Sequence, residues 1–206
     1  MTAIAAPRSA AVSFRHRGAA GGYLHAGAWA AGLSIGWGVL PEAGDGTSDI
    51  AAKYAAHQGA AIAQSGLVHG LAAVAVALVA VALVGAGRRL AGCAAFAASG
   101  LALGQLVLEQ VAVHSSADTA TAALFNTAQR VDGLKMLLFA VAAVAVGRAA
   151  TGRWARLLSY TTAAAIAVSG AGYLAGAAPL RAAAMLSLPL LLVWMIAAGR
   201  STGRDA

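Results

Sequence analysis

The sequence predicts an all-α protein, a polytopic transmembrane helix bundle with about six spans. Two observations predict this class. Of the 206 residues, 60% are hydrophobic and only 10% are charged, whereas a soluble domain carries roughly 25% charged residues. The apolar residues also fall into six segments long enough to cross a bilayer as helices. A soluble enzyme and a disordered chain are thereby excluded.

Six apolar segments are the predicted spans, and they lie at 22–40, 61–86, 91–113, 133–147, 157–177 and 180–198. Each is nearly uncharged and apolar on all sides, as expected in lipid. The fourth is short, and an amphipathic stretch from Thr119 lengthens it. No small-x-small cleavage site follows Leu40, so an uncleaved first helix is favoured over a signal peptide. The spans form one domain at 21–199, between a basic, flexible tail at 1–20 and a polar tail at 200–206.

Charges between the spans predict the orientation. One side holds ten arginines, at positions 8, 15, 17, 88, 89, 148, 153, 156, 200 and 204. The other side holds only Lys53, Arg130, Lys135 and Arg181. By the positive-inside rule both termini are cytoplasmic. Arginine supplies all but two of the 14 basic residues, a bias typical of GC-rich bacteria, so we expect a bacterial cytoplasmic (inner) membrane.

Both long connections on the outer side are predicted to form helices that lie over the mouth of the bundle. The first is capped by Ser48 or Asp49 and runs through Tyr54 and His57. The second starts at Thr119, and its two faces are Leu124, Ala128 and Val131, and Asn126, Gln129 and Arg130. Because only this side is elaborated, we expect any site to open outward.

Glycine pairs at four-residue spacing indicate close helix packing. Six such pairs are present, and four lie within the predicted spans: Gly32/Gly36, Gly66/Gly70, Gly100/Gly104 and Gly172/Gly176. The single cysteine, Cys93, excludes an internal disulfide.

Ionisable side chains in hydrocarbon cost about 2.5–3.5 kcal/mol each, so those within the spans are the candidate site residues. At about 1.5 Å per residue, His69 lies roughly 14 Å below the outer edge and Glu109 roughly 6 Å. Lys135 lies just inside that edge, and His25 lies at the cytoplasmic edge.

Glu109 has three interpretations. If the third and fourth spans are neighbours, Glu109 can meet Lys135 in a structural ion pair that seals the outer end of the bundle. It can instead be a functional carboxylate, a proton-coupling site or a general acid/base. The third interpretation is a side chain that simply snorkels to water.

The candidate roles follow from these positions. In an enzyme the catalytic residues would be Glu109, His69 and Asp132. The candidate ligand-binding residues are Gln64, Gln105, Lys135 and Tyr173. We expect no cofactor and no metal, because two rim histidines, His57 and His114, are more often solvated than ligands. Walker A and H-E-x-x-H motifs are absent from the sequence.

The segment 48–72, SDIAAKYAAHQGAAIAQSGLVHGLA, resembles a loose set of small six-helix bacterial membrane proteins of unknown function. The residues that carry the resemblance are Asp49, Ala52, Tyr54 and His57, followed by a glycine-rich second span. The resemblance implies a fold and carries over no catalytic residues.

Three classes of function compete. The first is a bundle that binds a lipid or small hydrophobic ligand in an outward-facing polar pocket, or that serves as a subunit of a membrane-protein partner. The second is a membrane-embedded acid/base enzyme, of isomerase or cyclase type, which requires Glu109, His69 and Asp132 to converge on one cavity. The third is a proton-coupled transporter. The bilayer is a partner in every case, and nucleic acid is not, because the basic residues lie between apolar spans.

Overall fold

The computed structural model describes residues 8–202, and within that range the chain forms seven helices and no strand. The helices are α1 (Arg8–Gly36), α2 (Thr47–Ala56), α3 (Gln58–Gly85), α4 (Arg89–His114), α5 (Asp118–Ala149), α6 (Arg153–Ala175) and α7 (Ala178–Ser201). A turn at residues 182–183 interrupts α7 near its start. The all-α prediction is confirmed.

The first helix extends beyond its predicted span at the N-terminal end. Helix α1 begins at Arg8 rather than near residue 22 and so includes part of the segment predicted as a tail. It packs closely on α7 within that segment, because a Cβ on Gly18 would lie 2.6 Å from the carbonyl oxygen of Gly199. Contact with a neighbour thus holds a helix whose own sequence is not uniformly apolar. Residues 1–7 and 203–206 lie outside the described residues.

Four of the described helices, α3, α4, α6 and α7, are long and apolar enough to cross a membrane. Large apolar side chains also point away from the bundle, and Leu90, Val107 and Val193 are each more than half exposed. An apolar outer surface of this extent is costly in water and suited to lipid. The structure therefore indicates a membrane protein.

The six long helices form a closed ring in chain order. Each packs against the next, and α7 returns to α1. The core inside the ring is rich in alanine, with a few larger side chains such as Leu83, Ile166 and Trp194. The Trp194 indole N–H donates to Ser159 Oγ at 3.1 Å, which satisfies its one buried polar group. Small residues let helices approach closely where hydrophobic burial supplies little net drive.

The glycine pairs behave differently from one another. Gly32 and Gly36 face α3, where an added Cβ would overlap the side chains of Val68 and Gln64. The packing prediction is right for this pair. It is wrong for Gly100 and Gly104, where an added Cβ would meet nothing within 4 Å, because this face of α4 has no helix against it.

The two ends of the bundle differ. The cavity end consists of the connections 37–46, 115–117 and 176–177 together with α2; the arginine end consists of the connections 86–88 and 150–152. At the cavity end α2 packs across α5, with Tyr54 meeting Phe125 edge to face. Helix α2 starts after Gly46 and ends at Ala56, before His57. Its N-terminus does not have the side-chain cap that was predicted from Ser48 or Asp49.

Candidate ligand-binding cavity

A cavity of about 230 Å³ opens at the cavity end. Five of the six long helices contribute to its wall, together with α2 and the connection 37–46. The lining residues are Trp29, Leu40, Pro41, Tyr54, Ala61, Gln64, Val68, His69, Gln105, Glu109, Phe125, Gln129, Asp132 and Tyr173. Polar side chains of α3, α4, α5 and α6 therefore meet at one place in an otherwise apolar bundle.

His69 and Glu109 form a pair across α3 and α4. Nε2 of His69 lies 3.2 Å from Oε1 of Glu109, and both side chains are largely buried. His69 lies in a π-helical segment, Gly66–Leu71, in which the Ala72 N–H reaches back to the carbonyl of Leu67, five residues earlier. Such segments re-aim side chains within a helix and are frequent at functional sites.

The two ring nitrogens of His69 differ in their surroundings. Nε2 faces the Glu109 carboxylate, whereas Nδ1 is buried and has no hydrogen-bond partner among the described residues. A buried polar atom without a partner costs about 1–3 kcal/mol.

A second polar group holds α4 to α5 beside the cavity. Lys135 Nζ lies 2.6 Å from Asp132 Oδ1 and donates to Gln105 Oε1 at 2.9 Å. The Gln105 amide donates to Asp132 Oδ1 at 3.3 Å. The ammonium also lies 5.9 Å from the centre of the Trp29 ring. Each of the three side chains is bonded to the other two, as a stable buried network requires.

Six of the seven residues singled out from the sequence line this one cavity: Gln64, His69, Gln105, Glu109, Asp132 and Tyr173. Lys135 lies behind the wall, almost fully buried. The described ion pairs do not include the Glu109–Lys135 pair considered from the sequence. Asp132, three residues before Lys135 on α5, pairs with the ammonium instead, and Glu109 faces α3. The roles of these residues remain predictions.

Several wall residues were missed from the sequence, among them Trp29, Phe125 and Gln129. Phe125, Gln129 and Asp132 follow one another at spacings of four and three, which is one face of a helix. This spacing could have identified the three residues from the sequence as one face of a helix. Gln129 was instead assigned to the outer polar face of the amphipathic stretch, and the buried positions there are Thr121, Ala122, Phe125 and Ala128.

His25 does not lie at the edge of the bundle as predicted. It is buried, with Nδ1 3.4 Å from the carbonyl oxygen of Ala72, one turn beyond His69 on α3. The earlier start of α1 explains the error, because it brings the middle of the helix close to His25. His25 and Lys135 line a recess of about 30 Å³ that shares Trp29 and Val68 with the wall of the cavity.

The rim of the cavity carries one further ion pair. Lys53 Nζ donates to Asp45 Oδ2 at 2.7 Å, and Asp45 also accepts from the backbone N–H of Glu42 at 2.8 Å. The backbone N–H first, and Lys53 second, lower the pKa of Asp45. This pair ties the connection 37–46 to α2 at the mouth of the cavity.

Within residues 8–202 no group of three or more His, Cys, Asp or Glu side chains is arranged to hold a metal ion. The two rim histidines considered from the sequence, His57 and His114, are exposed. Comparison of the chain with protein-family models, curated proteins and solved structures found no match.

Proposed function

We propose that this chain is a six-span protein of the bacterial cytoplasmic membrane whose outward-facing cavity binds a small molecule with a polar group and an apolar body. One observation carries the proposal: the costly polar side chains of four helices converge on a single open cavity. A bundle that needed only stability could bury apolar residues in their place. Concave sites with a few convergent polar groups are the usual form of ligand sites.

Six spans follow if α1 and α5 cross the bilayer with the four apolar helices. They have 29 and 32 residues, and at about 1.5 Å per residue both exceed the roughly 30 Å hydrocarbon core. Two charged residues within α5, Asp132 and Lys135, form an ion pair with each other. The arginines around the connections 86–88 and 150–152 favour a cytoplasmic arginine end, so that the cavity opens outward.

A second candidate function is acid/base catalysis within the membrane, and the His69–Glu109 contact of 3.2 Å favours it. A general base must lie within hydrogen-bond reach of the proton that it moves. Glu109 meets that condition for a ligand in the cavity, with His69 as the positioning group. Asp132 is a weaker candidate because Lys135 and Gln105 already occupy it.

The transporter alternative has less support. A separate cavity of about 210 Å³ lies at the arginine end, with Ser159 and Trp194 in its wall. Leu83 and Ile166, which are fully buried in the core, belong to the packed interior between the two ends. A polar path through this layer would require the helices to rearrange.

Native mass spectrometry of the gently solubilised full chain tests the proposed function. We expect a stoichiometric small-molecule adduct on the wild type. Gln129→Trp should lose the adduct by filling the cavity mouth, and Asn126→Trp, an exposed position one turn away on the same helix, should retain it. A bare wild-type polypeptide, or an adduct unaffected by Gln129→Trp, contradicts the proposal.

The same preparation separates binding from catalysis. If the chain is an enzyme, the molecule bound to the Glu109→Gln variant is the substrate, whereas the molecule bound to the wild type is the product. Chromatography of the released molecules distinguishes the two. If it only binds, both proteins release the same compound.

A further inference from the structure

We infer that the ligand is a small organic cation, a protonated or quaternary amine that carries an apolar group. This inference rests on the proposed function and narrows it to a chemical class. It combines three features: a wall carboxylate with no Lys or Arg among its described ion-pair partners, aromatic side chains in the wall, and a surplus of acidic residues at the cavity end.

The two carboxylates of the wall, Glu109 and Asp132, differ in their partners. Asp132 lies 2.6 Å from the Lys135 ammonium, whereas Glu109 has the His69 ring at 3.2 Å and no Lys or Arg among its described ion-pair partners. A cationic group in the cavity can pair with Glu109, and an anionic group there is repelled by it.

Aromatic side chains form much of the remaining wall: Trp29, Tyr54, Phe125 and Tyr173. Aromatic faces attract cations through the ring quadrupole, and the Lys135 ammonium already lies 5.9 Å from the centre of the Trp29 ring. Tyr54 and Phe125 contact each other with ring centres 6.2 Å apart. Burial, and second the charge of Glu109, raise the pKa of Tyr54, so its hydroxyl stays neutral. These side chains supply aromatic surface against which an ammonium group can bind.

The surroundings of the cavity favour entry of a cation. Six acidic residues lie at this end of the bundle or within the cavity wall, namely Glu42, Asp45, Asp49, Glu109, Asp118 and Asp132; the basic residues are Lys53, Arg130, Lys135 and Arg181. Net negative charge around a concave site concentrates cations there. Apolar groups of Leu40, Pro41 and Val68 complete the wall and provide contact for the body of the ligand.

Three probes of similar shape and different charge test this inference: phenethylammonium, 2-phenylethanol and phenylacetate. Their affinities for the full chain in nanodiscs are measured by calorimetry, with empty nanodiscs subtracted. We expect phenethylammonium to bind at least about tenfold more tightly than the other two. Glu109→Gln should abolish this preference. Glu42→Gln, which changes an exposed acid of the cavity end outside the wall, should preserve it.

Two results would overturn the inference: phenylacetate or 2-phenylethanol binding as tightly as phenethylammonium, or phenethylammonium failing to bind. A native adduct that Gln129→Trp removes would then show that the proposed function stands and only the cation assignment is wrong. If the wild type carries no adduct and does not bind the probes, both the proposed function and the cation assignment are wrong.

Discussion

Lys135 and Glu109 are both ionisable residues inside the bundle, yet their neighbours differ. Lys135 is nearly fully buried and is bonded to Asp132 and Gln105. Removing the ammonium would leave the Asp132 carboxylate buried without a counter-charge. Glu109 borders an open cavity, with its Oε1 3.2 Å from His69 Nε2, and a neutral amide at that position still faces the cavity.

We therefore predict opposite effects on stability for two substitutions. Lys135→Met should destabilise the protein by about 3–5 kcal/mol, because it breaks a buried ion pair from one side. Glu109→Gln should change stability by less than about 1 kcal/mol. Thermal unfolding in detergent, followed by tryptophan fluorescence, measures both. Equal losses for the two variants would mean that Glu109 is a structural residue like Lys135.

The sequence predicted which residues line the cavity better than it predicted how their side chains pair. The cost of polar groups in lipid pointed to Gln64, His69, Gln105 and Glu109, and all four line the cavity. Pairing depends on how neighbouring helices are rotated about their axes. The one-dimensional depth estimate favoured Lys135 as the partner of Glu109, whereas the structure places His69 against it.

Among the elements, α5 and α6 approach each other closely through two glycines. A Cβ on Gly133 would lie 2.7 Å from the carbonyl oxygen of Gly170, and a Cβ on Gly170 would lie 2.9 Å from that of Gly133. Both obstacles are backbone atoms, which cannot rotate away. Asp132 and Tyr173, whose side chains reach the cavity, lie beside this contact, so the approach of the two helices also sets the shape of the site.

Gly133→Ala should consequently push α5 away from α6 and destabilise the protein by about 1–3 kcal/mol. Gly100→Ala on α4 is the matched control, because its added methyl group meets nothing within 4 Å. The melting temperatures of the two variants in one detergent make the comparison. A Gly133→Ala variant as stable as Gly100→Ala would contradict the described contact.

Element bounds were predicted well wherever apolar composition decided them. The segments 61–86, 91–113 and 180–198 correspond closely to α3, α4 and α7. Two features depended on tertiary structure instead. Helix α1 extends N-terminal to its apolar segment and packs there on α7, and the π-helical segment Gly66–Leu71 has no composition that distinguishes it from α-helix. Hydrophobic periodicity carries neither kind of information.

As a whole, the molecule is asymmetric along the bundle axis. Short connections with arginines close one end, whereas α2 and the long connection 37–46 cover the other. If the arginine end is cytoplasmic, alkaline phosphatase inserted after Gly44 should be active in bacterial cells. Green fluorescent protein inserted after Thr151 should fluoresce. The reverse pattern would invert the proposed orientation and place the cavity in the cytoplasm.

In the proposed arrangement, Glu109 faces a water-accessible cavity rather than lipid. Val107 lies two residues away on the same helix and is largely exposed on the outer surface of the bundle, so it is the matched position. In a Cys93→Ser background, Glu109→Cys and Val107→Cys are treated in intact cells with a membrane-impermeant methanethiosulfonate that carries a quaternary ammonium. We predict rapid modification at position 109 and almost none at position 107. Modification at neither position, or faster modification at 107, would contradict an outward-facing cavity at Glu109.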